Sequence, residues 1–257
     1  MPFEYVSVEE AVQRPGLRMI VVGNVPSPWG EAAKGILHIK QIPWVAVRLA
    51  YDSEALKTWT GGLRNGPIAF HDADKPRAGW NEILLLAERL APSPSLVPHD
   101  AAERALMIGI AHELLSEDSL AWTRRLQLIH AGLQERGGFH PKVAAYLGKK
   151  YAYRAEESAS FTPRVVAVLK MLADRLRAQR AAGSAYYLPS GLSALDVYSA
   201  TCMAMFQPLP EEHCKMEPTT RAAFETLDDA TRAALDPILL EHRAMMYDKH
   251  LELPLAL

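Results

Sequence analysis

The chain has 257 residues, 49% of them hydrophobic and 23% charged, which is the composition of a globular protein. Its 28 Lys and Arg side chains nearly balance 30 Asp and Glu, so it lacks the basic excess of a nucleic-acid-binding protein. Two cysteines, Cys202 and Cys214, are too few for a disulfide framework, and no apolar run approaches the ~18 residues of a membrane span. The N-terminal residues also lack a secretory leader pattern. We therefore expect a cytoplasmic protein that binds neither nucleic acid nor membrane.

The first ninety residues alternate strand and helix signals. Short apolar runs rich in β-branched residues predict strands at 18–23, 43–49 and 68–70. Apolar residues at helical spacing predict helices up to about residue 40, at 53–60 and at 83–90. The helix that joins the first two strands forms a βαβ unit, whose strands should be parallel. This part of the chain is therefore predicted to be an α/β region.

Residues 91–98 contain three prolines and are the best candidate for a linker between two domains. After this segment the apolar spacing is helical nearly throughout, and no alternating strand pattern occurs. The predicted helices lie at about 99–118, 119–136, 140–150, 161–182, 193–206, 219–226 and 236–250. The second part of the chain is therefore predicted to be all-helical.

Ser27 stands directly before the first predicted helix of the α/β region, with Pro28 in the first helical position. In one interpretation its hydroxyl only caps a free backbone N–H of that helix. In the other, the hydroxyl faces the edge of the α/β unit where ligands bind, and the helix N-terminus favours an anion such as a thiolate. The local sequence leaves both interpretations open.

Two further motifs have a defined geometry. Gly66 and Pro67 precede the third predicted strand, and the default there is a trans bond, because only about one X–Pro bond in twenty is cis. Ser193 and Asp196 have the spacing of a capping box, which predicts the start of a helix. Both motifs are structural on local grounds.

Candidate metal motifs are incomplete. His112 opens a pattern typical of zinc-protease helices, but Ser116 occupies the place of the second histidine. Glu211, His213 and Cys214 cluster ligand types without partners at metal-binding spacing. The sequence therefore predicts no metal site.

Taken together and in this order, these motifs resemble the glutathione transferase superfamily. Ser27–Trp29 is similar to the family's catalytic Ser/Cys-Pro-aromatic start of its first helix. Gly66–Pro67 is similar to the family's cis-proline turn, and Ser193–Asp196 to the capping box of its helical domain. The resemblance spans nearly the whole chain.

The resemblance implies an α/β thioredoxin-like N-terminal domain plus an all-α C-terminal helical domain. It assigns residues 18–91 to the glutathione-binding domain and residues 99–257 to the helical domain that holds the second substrate and forms a homodimer. Residues 1–17 are an N-terminal extension that most members of the family lack. In this extension, Ser7 and Glu10 have the spacing to cap a short additional helix.

The resemblance also implies a reaction that uses glutathione as co-substrate and needs no metal. Ser27 would be the catalytic residue, because it would donate a hydrogen bond to the glutathione sulfur and stabilise the nucleophilic thiolate. The second substrate would be a small hydrophobic or electrophilic molecule between the domains. The implied glutathione-binding residues are Ser27, Trp29, Gly66, Pro67, Gly79, Trp80 and Asn81.

The sequence departs from the family pattern at the third helix of the α/β domain. Gly79 and Trp80 stand where the family has an acidic residue and a serine that hold the γ-glutamyl carboxylate of glutathione. An indole offers one N–H and no acceptor, whereas Asn81 offers an amide on another face of the helix. Residues 74–78 contain a proline and two cations, which argues against a regular fourth strand. The alternative is therefore a non-catalytic ligand-binding or scaffold protein of the same fold, with weakened glutathione recognition.

Overall fold

The fold is described here from a computed structural model that defines residues 3–257. Within these residues, four strands form one sheet in the order β1–β3–β2–β4. The strands are β1 (Glu4–Tyr5), β2 (Leu17–Val21), β3 (Trp44–Arg48) and β4 (Ile68–His71). Strands β2 and β3 are parallel and are joined by helix α2 (Pro28–Ile39), while β4 runs antiparallel to β2. The predicted βαβ unit is thereby confirmed.

The N-terminal extension adds to the sheet. Strand β1 pairs in parallel with β3 and so becomes the outer strand on that side. Helix α1 (Val8–Gln13) follows, and the Ser7 hydroxyl accepts a hydrogen bond from the Glu10 N–H at 3.1 Å. The additional capped helix is therefore present as predicted, and β2 begins at Leu17, the last residue assigned to the extension.

The other helices of the α/β region are α3 (Glu54–Thr60) and α4 (Trp80–Leu90). The α/β pattern would place a further strand between β4 and α4, but the structure has a single bridge there. Ala69 and Arg77 exchange two backbone hydrogen bonds of 2.8 and 2.9 Å. Pro76, beside this bridge, has no N–H with which to extend the ladder. The prediction that residues 74–78 form no regular strand is therefore confirmed.

After the proline-rich segment, the structure contains no strand up to residue 257, and a lone bridge joins Leu188 and Gly191. The helices are α5 (Ala101–Leu115), α6 (Leu120–Leu133), α7 (Pro141–Lys150), α8 (Ser158–Ala181), α9 (Ala194–Cys202), α10 (Pro218–Glu225), α11 (Asp229–Ala234) and α12 (Pro237–Lys249). Within residues 3–257, no helix is long and apolar enough to cross a membrane. The all-helical second part is confirmed.

The bounds of five helices differ from the sequence prediction by three or four residues at one end, and one helix was missed; the five are α4, α5, α6, α8 and α9. Helix α8 begins at Ser158, because a 3-10 turn at Ala155–Glu157 leads directly into it. Helix α9 ends at Cys202, because the next three residues form another 3-10 turn. Helix α11 has six residues, too few for apolar periodicity to reveal it.

One hydrophobic core joins the sheet to the helical layer, and α2 packs directly on α9. The contact is close at Gly35, where an added Cβ would lie 3.1 Å from the Val197 side chain. The predicted capping box fixes the start of α9. The fully buried Asp196 carboxylate accepts hydrogen bonds from the Ser193 N–H at 2.9 Å and from the Tyr187 N–H at 2.9 Å. This box anchors the helix on which α2 rests, and α2 carries Ser27 and Trp29 at its start.

Candidate functional site

A cavity of about 330 Å³ lies between the α/β region and the helical layer, and we call it the cleft. This volume is at the lower end of the ~300–1,000 Å³ range of small-molecule sites. The α/β wall of the cleft consists of Trp29, Asn65, Gly66, Pro67, Ala78, Gly79 and Trp80. The helical wall consists of Leu115, Trp122, Lys150 and Tyr151. The cleft thus joins the start of α2, the proline turn before β4 and the start of α4.

The structure brings most of the predicted binding residues together in this cleft. Those that line it are Trp29, Gly66, Pro67, Gly79 and Trp80. The Gly66–Pro67 bond is cis, as the resemblance implied. Asn81 is exposed outside the cleft, and its side-chain oxygen accepts a hydrogen bond from the Glu82 N–H of its own helix at 2.9 Å.

Ser27 occupies the N-cap position of α2 but does not line the cleft. Its backbone is extended and its carbonyl accepts the Glu31 N–H at 2.8 Å, as an N-cap residue requires. Its side chain is only 4% exposed, and its hydroxyl caps none of the described N–H groups of the helix. The hydroxyl faces Gly30, where an added Cβ would lie 3.9 Å from Ser27 Oγ. The capping interpretation therefore lacks its hydrogen bond.

Trp29 links the two walls. Its indole Nε1 donates a hydrogen bond of 2.6 Å to the Leu115 carbonyl at the end of α5. This contact holds the start of α2 against the helical layer. It also turns one face of the indole toward the guanidinium of Arg125, which lies 5.6 Å from the ring centroid.

The start of α4 is closed by a carboxylate of the protein itself. Glu82 Oε2 accepts hydrogen bonds from the Gly79 N–H at 3.2 Å and from the Ala78 N–H at 3.3 Å. Free N–H groups at a helix start are the usual donors to a bound anion. At α4 these two donors are already engaged by a negative charge.

Trp80 bridges from α4 to the helical layer. Its indole Nε1 donates to Ser116 Oγ at 3.1 Å, and its ring meets the Tyr198 ring edge to face at 5.4 Å. The one polar group of the indole is therefore already bonded within the protein. The Trp80 side chain therefore forms part of the wall of the cleft and offers no free hydrogen-bonding group to a ligand.

Two cations that the sequence analysis did not single out lie at the helical wall: Lys150 lines the cleft, and Arg125 lies against the Trp29 and Tyr151 rings. Lys150, at the end of α7, lines the cleft and donates a hydrogen bond of 3.3 Å to the Tyr51 hydroxyl. Burial and the nearby Arg125 cation lower the pKa of Lys150 to about 8. Arg125, on α6, is 8% exposed, and its Nε has no hydrogen-bond partner among the described residues. The sequence signal for Lys150 is the run Lys149-Lys150-Tyr151 at the end of a predicted helix. Its sequence neighbours do not indicate that this run lies at a cleft.

No protein-family model and no curated protein sequence matches the chain. Solved structures do match it. A Tau class glutathione S-transferase from mango is 18% identical with a TM-score of 0.57, over 92% of this chain and 90% of that one. A β-etherase from Sphingobium is 15% identical with a TM-score of 0.57, over 90% and 99% of the two chains. A glutathione S-transferase from Methylobacterium radiotolerans, in complex with glutathione sulfonate, is 16% identical with a TM-score of 0.56, over 91% of each.

The sequence identities are too low to assign an activity to this chain, but the structural similarity extends over nearly all of it. They show that the chain has the glutathione S-transferase fold, as the sequence motifs predicted. What the cleft binds has to be argued from its own residues.

Proposed function

We propose that this chain, on its glutathione S-transferase fold, is a glutathione transferase-like enzyme that works in the cleft. Glutathione would bind on the α/β wall, and its thiol would attack a small hydrophobic or electrophilic molecule held against the helical wall. The observation that carries the proposal is the convergence of three elements on one cavity. The start of α2, the cis Gly66–Pro67 turn and the start of α4 all line it opposite a helical surface.

In this proposal Ser27 activates the thiol. A free thiol has a pKa of about 8.5 and is mostly protonated at neutral pH. Lowering that pKa by two units makes the thiolate dominant and corresponds to about 2.7 kcal/mol. The Ser27 hydroxyl, which caps no described N–H, and the positive end of α2 are the groups that favour the thiolate. The thiol proton leaves to solvent, and the thiolate forms a carbon–sulfur bond to the electrophile. In a substitution the leaving group departs with the electron pair of the bond that breaks, and in an addition the π bond breaks and the product takes a proton from solvent.

Glutathione recognition would be weaker than in typical relatives. Gly66 offers a backbone N–H and C=O to the cysteinyl part of glutathione, as the family pattern does. At the γ-glutamyl end, Trp80 replaces a serine, and Glu82 engages two N–H groups at the start of α4. One lost hydrogen bond to a charged group costs about 1.5–3 kcal/mol, which is ten- to a hundredfold in affinity. We therefore propose an affinity at least tenfold lower.

The second candidate function is a non-catalytic ligand-binding or scaffold protein. The Glu82 carboxylate favours it, because a negative charge already occupies the place where glutathione would present its own carboxylate. In that case the cleft would still take a small molecule, but no thiol would be activated beside Ser27.

A homodimer and a cytoplasmic location also remain proposals. Helices α4 and α5 expose Leu85, Leu106 and Ile108, which are 60%, 39% and 46% exposed in the single chain. Apolar side chains in such positions are suited to a second copy of the chain. Sedimentation equilibrium distinguishes a dimer from a monomer directly.

The test of the proposed function has two steps. The purified protein should be retained on immobilised glutathione and eluted by free glutathione, and it should conjugate glutathione to a model electrophile above the uncatalysed rate. Retention without turnover would favour the binding protein. If the protein is neither retained nor active, the enzyme proposal fails and the non-catalytic ligand-binding or scaffold protein is favoured.

A further inference from the structure

A second cavity of about 410 Å³ lies beside the cleft, and the two share Asn65 and Lys150 as lining residues. The second cavity is otherwise lined by Arg64, Tyr146 and Lys149. No Asp or Glu is among the described lining residues of either cavity. The charged side chains that line the two cavities, Arg64, Lys149 and Lys150, are therefore all cations.

Arg125 is a buried cation without a counter-charge, and its neighbour in the sequence shows the contrast. Arg124 donates hydrogen bonds to the carbonyls of Met205, Phe224 and Thr226, and Asp228 lies near enough to favour its charge. Arg125 makes no ion pair and no hydrogen bond with the described residues, and its Nε is buried without a partner. Aromatic rings lie over its guanidinium, and Lys150 and Tyr51 are close enough to interact with its charge. Arg124 therefore serves the fold, whereas the charge of Arg125 is left unpaired and can attract a negatively charged ligand.

Lys150, at the cleft surface, likewise lacks a negatively charged partner among the described residues. Its described hydrogen-bond acceptor is the neutral Tyr51 hydroxyl, at 3.3 Å, and the charge that perturbs it is a second cation, Arg125. Its pKa of about 8 leaves Lys150 mostly protonated at neutral pH. An anion bound beside Lys150 would relieve the repulsion between the two cations.

Aromatic side chains surround this positive site. Trp29, Trp122 and Tyr151 line the cleft, and the Trp122 and Tyr151 rings meet edge to face at 4.7 Å. The Arg125 guanidinium lies 5.3 Å from the Tyr151 ring centroid and 5.6 Å from that of Trp29. Such rings provide a flat apolar surface for an aromatic ligand.

We infer that the second substrate of the cleft is a small aromatic carboxylate, with its ring between Trp29, Trp122 and Tyr151 and its carboxylate at Lys150. Arg125, behind the Trp29 and Tyr151 rings, adds attraction from a low-dielectric position. That this ligand is a substrate rests on the proposed function, whereas its binding as an anion does not require glutathione.

The experiment compares two ligands that differ only in charge, 2-naphthoate and its uncharged amide, 2-naphthamide, by calorimetric titration at neutral pH and low salt. We expect the carboxylate to bind at least tenfold more tightly than the amide. Lys150→Met keeps the aliphatic stem but removes the charge, and it should reduce this preference by tenfold or more. The control Lys142→Met, at an exposed position on the same helix, should leave the preference unchanged. Equal affinities for the two ligands would overturn the inference, as would an unchanged preference in Lys150→Met.

The pH dependence gives a second readout. The titratable and charged groups around Lys150 are Arg125 from α6, Tyr51 from the segment before α3, Arg64 from the segment after α3, Tyr146 and Lys149 from its own helix, and Tyr151 directly after that helix. Lys150 is the group among them with a pKa of about 8, so naphthoate binding should weaken as the pH rises from 7.5 to 9.5. The amide should show no such change, and Lys150→Met should bind naphthoate independently of pH over this range.

Repeating the titration with saturating glutathione separates this inference from the proposed function. If glutathione does not bind but the charge preference holds, the proposed function fails and the anion site stands. If glutathione competes with naphthoate for Lys150, the cations hold a carboxylate of glutathione and the inference is wrong. Simultaneous binding of both ligands supports the two together.

Discussion

The two walls of the cleft differ in whether their groups that could bind an anion already have a carboxylate partner. On the α/β wall, the start of α4 could have held an anion, but Glu82 takes its Gly79 and Ala78 donors. On the helical wall, Lys150 and Arg125 are left without any carboxylate among the described residues around them. The fold decides where ligands approach, whereas the charge of individual side chains decides which ligand each wall can hold.

The largest effect is expected from Ser27→Ala on the α/β wall. If the hydroxyl stabilises the thiolate, turnover with a model electrophile should fall by one to three orders of magnitude. The matched control is Ser53→Ala, because Ser53 does cap its helix, with its hydroxyl accepting the Leu56 N–H at 3.2 Å. The control should lose about 1 kcal/mol of unfolding free energy and keep its turnover. Equal turnover in Ser27→Ala and in the unmutated protein would remove Ser27 from the mechanism.

A smaller effect, a gain in glutathione affinity, is expected from substitutions at the start of α4. Trp80→Ser restores a hydroxyl, and Glu82→Ala frees the two N–H donors and removes a repelling charge. Each variant should bind glutathione about tenfold more tightly, which is about 1.4 kcal/mol by calorimetry. Asn81→Ala is the control and should leave the affinity unchanged, because Asn81 lies outside the cleft. Tight glutathione binding by the unmutated protein would show that the α/β wall is not closed as described.

The smallest effect concerns stability, and it tests the repulsion on the helical wall. The folded protein holds the pKa of Lys150 near 8, below its ordinary value of 10.5. Between these two values the unfolded chain binds more protons than the folded one, so the free energy of unfolding contributed by Lys150 rises with pH. Because the group is partly exposed, the gain should be about 1 kcal/mol or less. Chemical denaturation at pH 7.5 and 9.5 should reveal it in the unmutated protein and not in Lys150→Met.

Local sequence patterns predict most of the elements of the α/β wall, whereas the cis geometry at Gly66–Pro67 followed only from the family resemblance. Apolar runs and helical spacing predict the βαβ unit, and short motifs predict the start of α2, the Gly66–Pro67 turn and the Ser193–Asp196 capping box. Each of these features is determined by residues that are neighbours in the sequence. The replacement at Trp80 could be recognised for the same reason.

The helical wall could not be predicted in this way. Arg125 and Lys150 belong to different helices, and they meet Trp29 only when α6 and α7 pack beside the start of α2. Nothing in the local sequence distinguishes Arg125 from Arg124, although one is satisfied by backbone carbonyls and the other faces rings alone. Glu82 could not be recognised from the sequence, because Gly79 at the N-cap has no side chain and the Ser/Thr-x-x-Glu pattern of a capping box is therefore absent.

The proposed function depends on one claim, that the cleft binds glutathione and ionises its thiol beside Ser27. The most direct measurement is the ultraviolet absorbance of the thiolate in the glutathione complex, titrated with pH in the unmutated protein and in Ser27→Ala. In the unmutated protein we expect a saturable thiolate signal, with a thiol pKa about two units below the free value of about 8.5. In Ser27→Ala we expect the pKa of the bound thiol to return toward that free value. A bound thiol whose pKa stays near 8.5 in both proteins would contradict the claim.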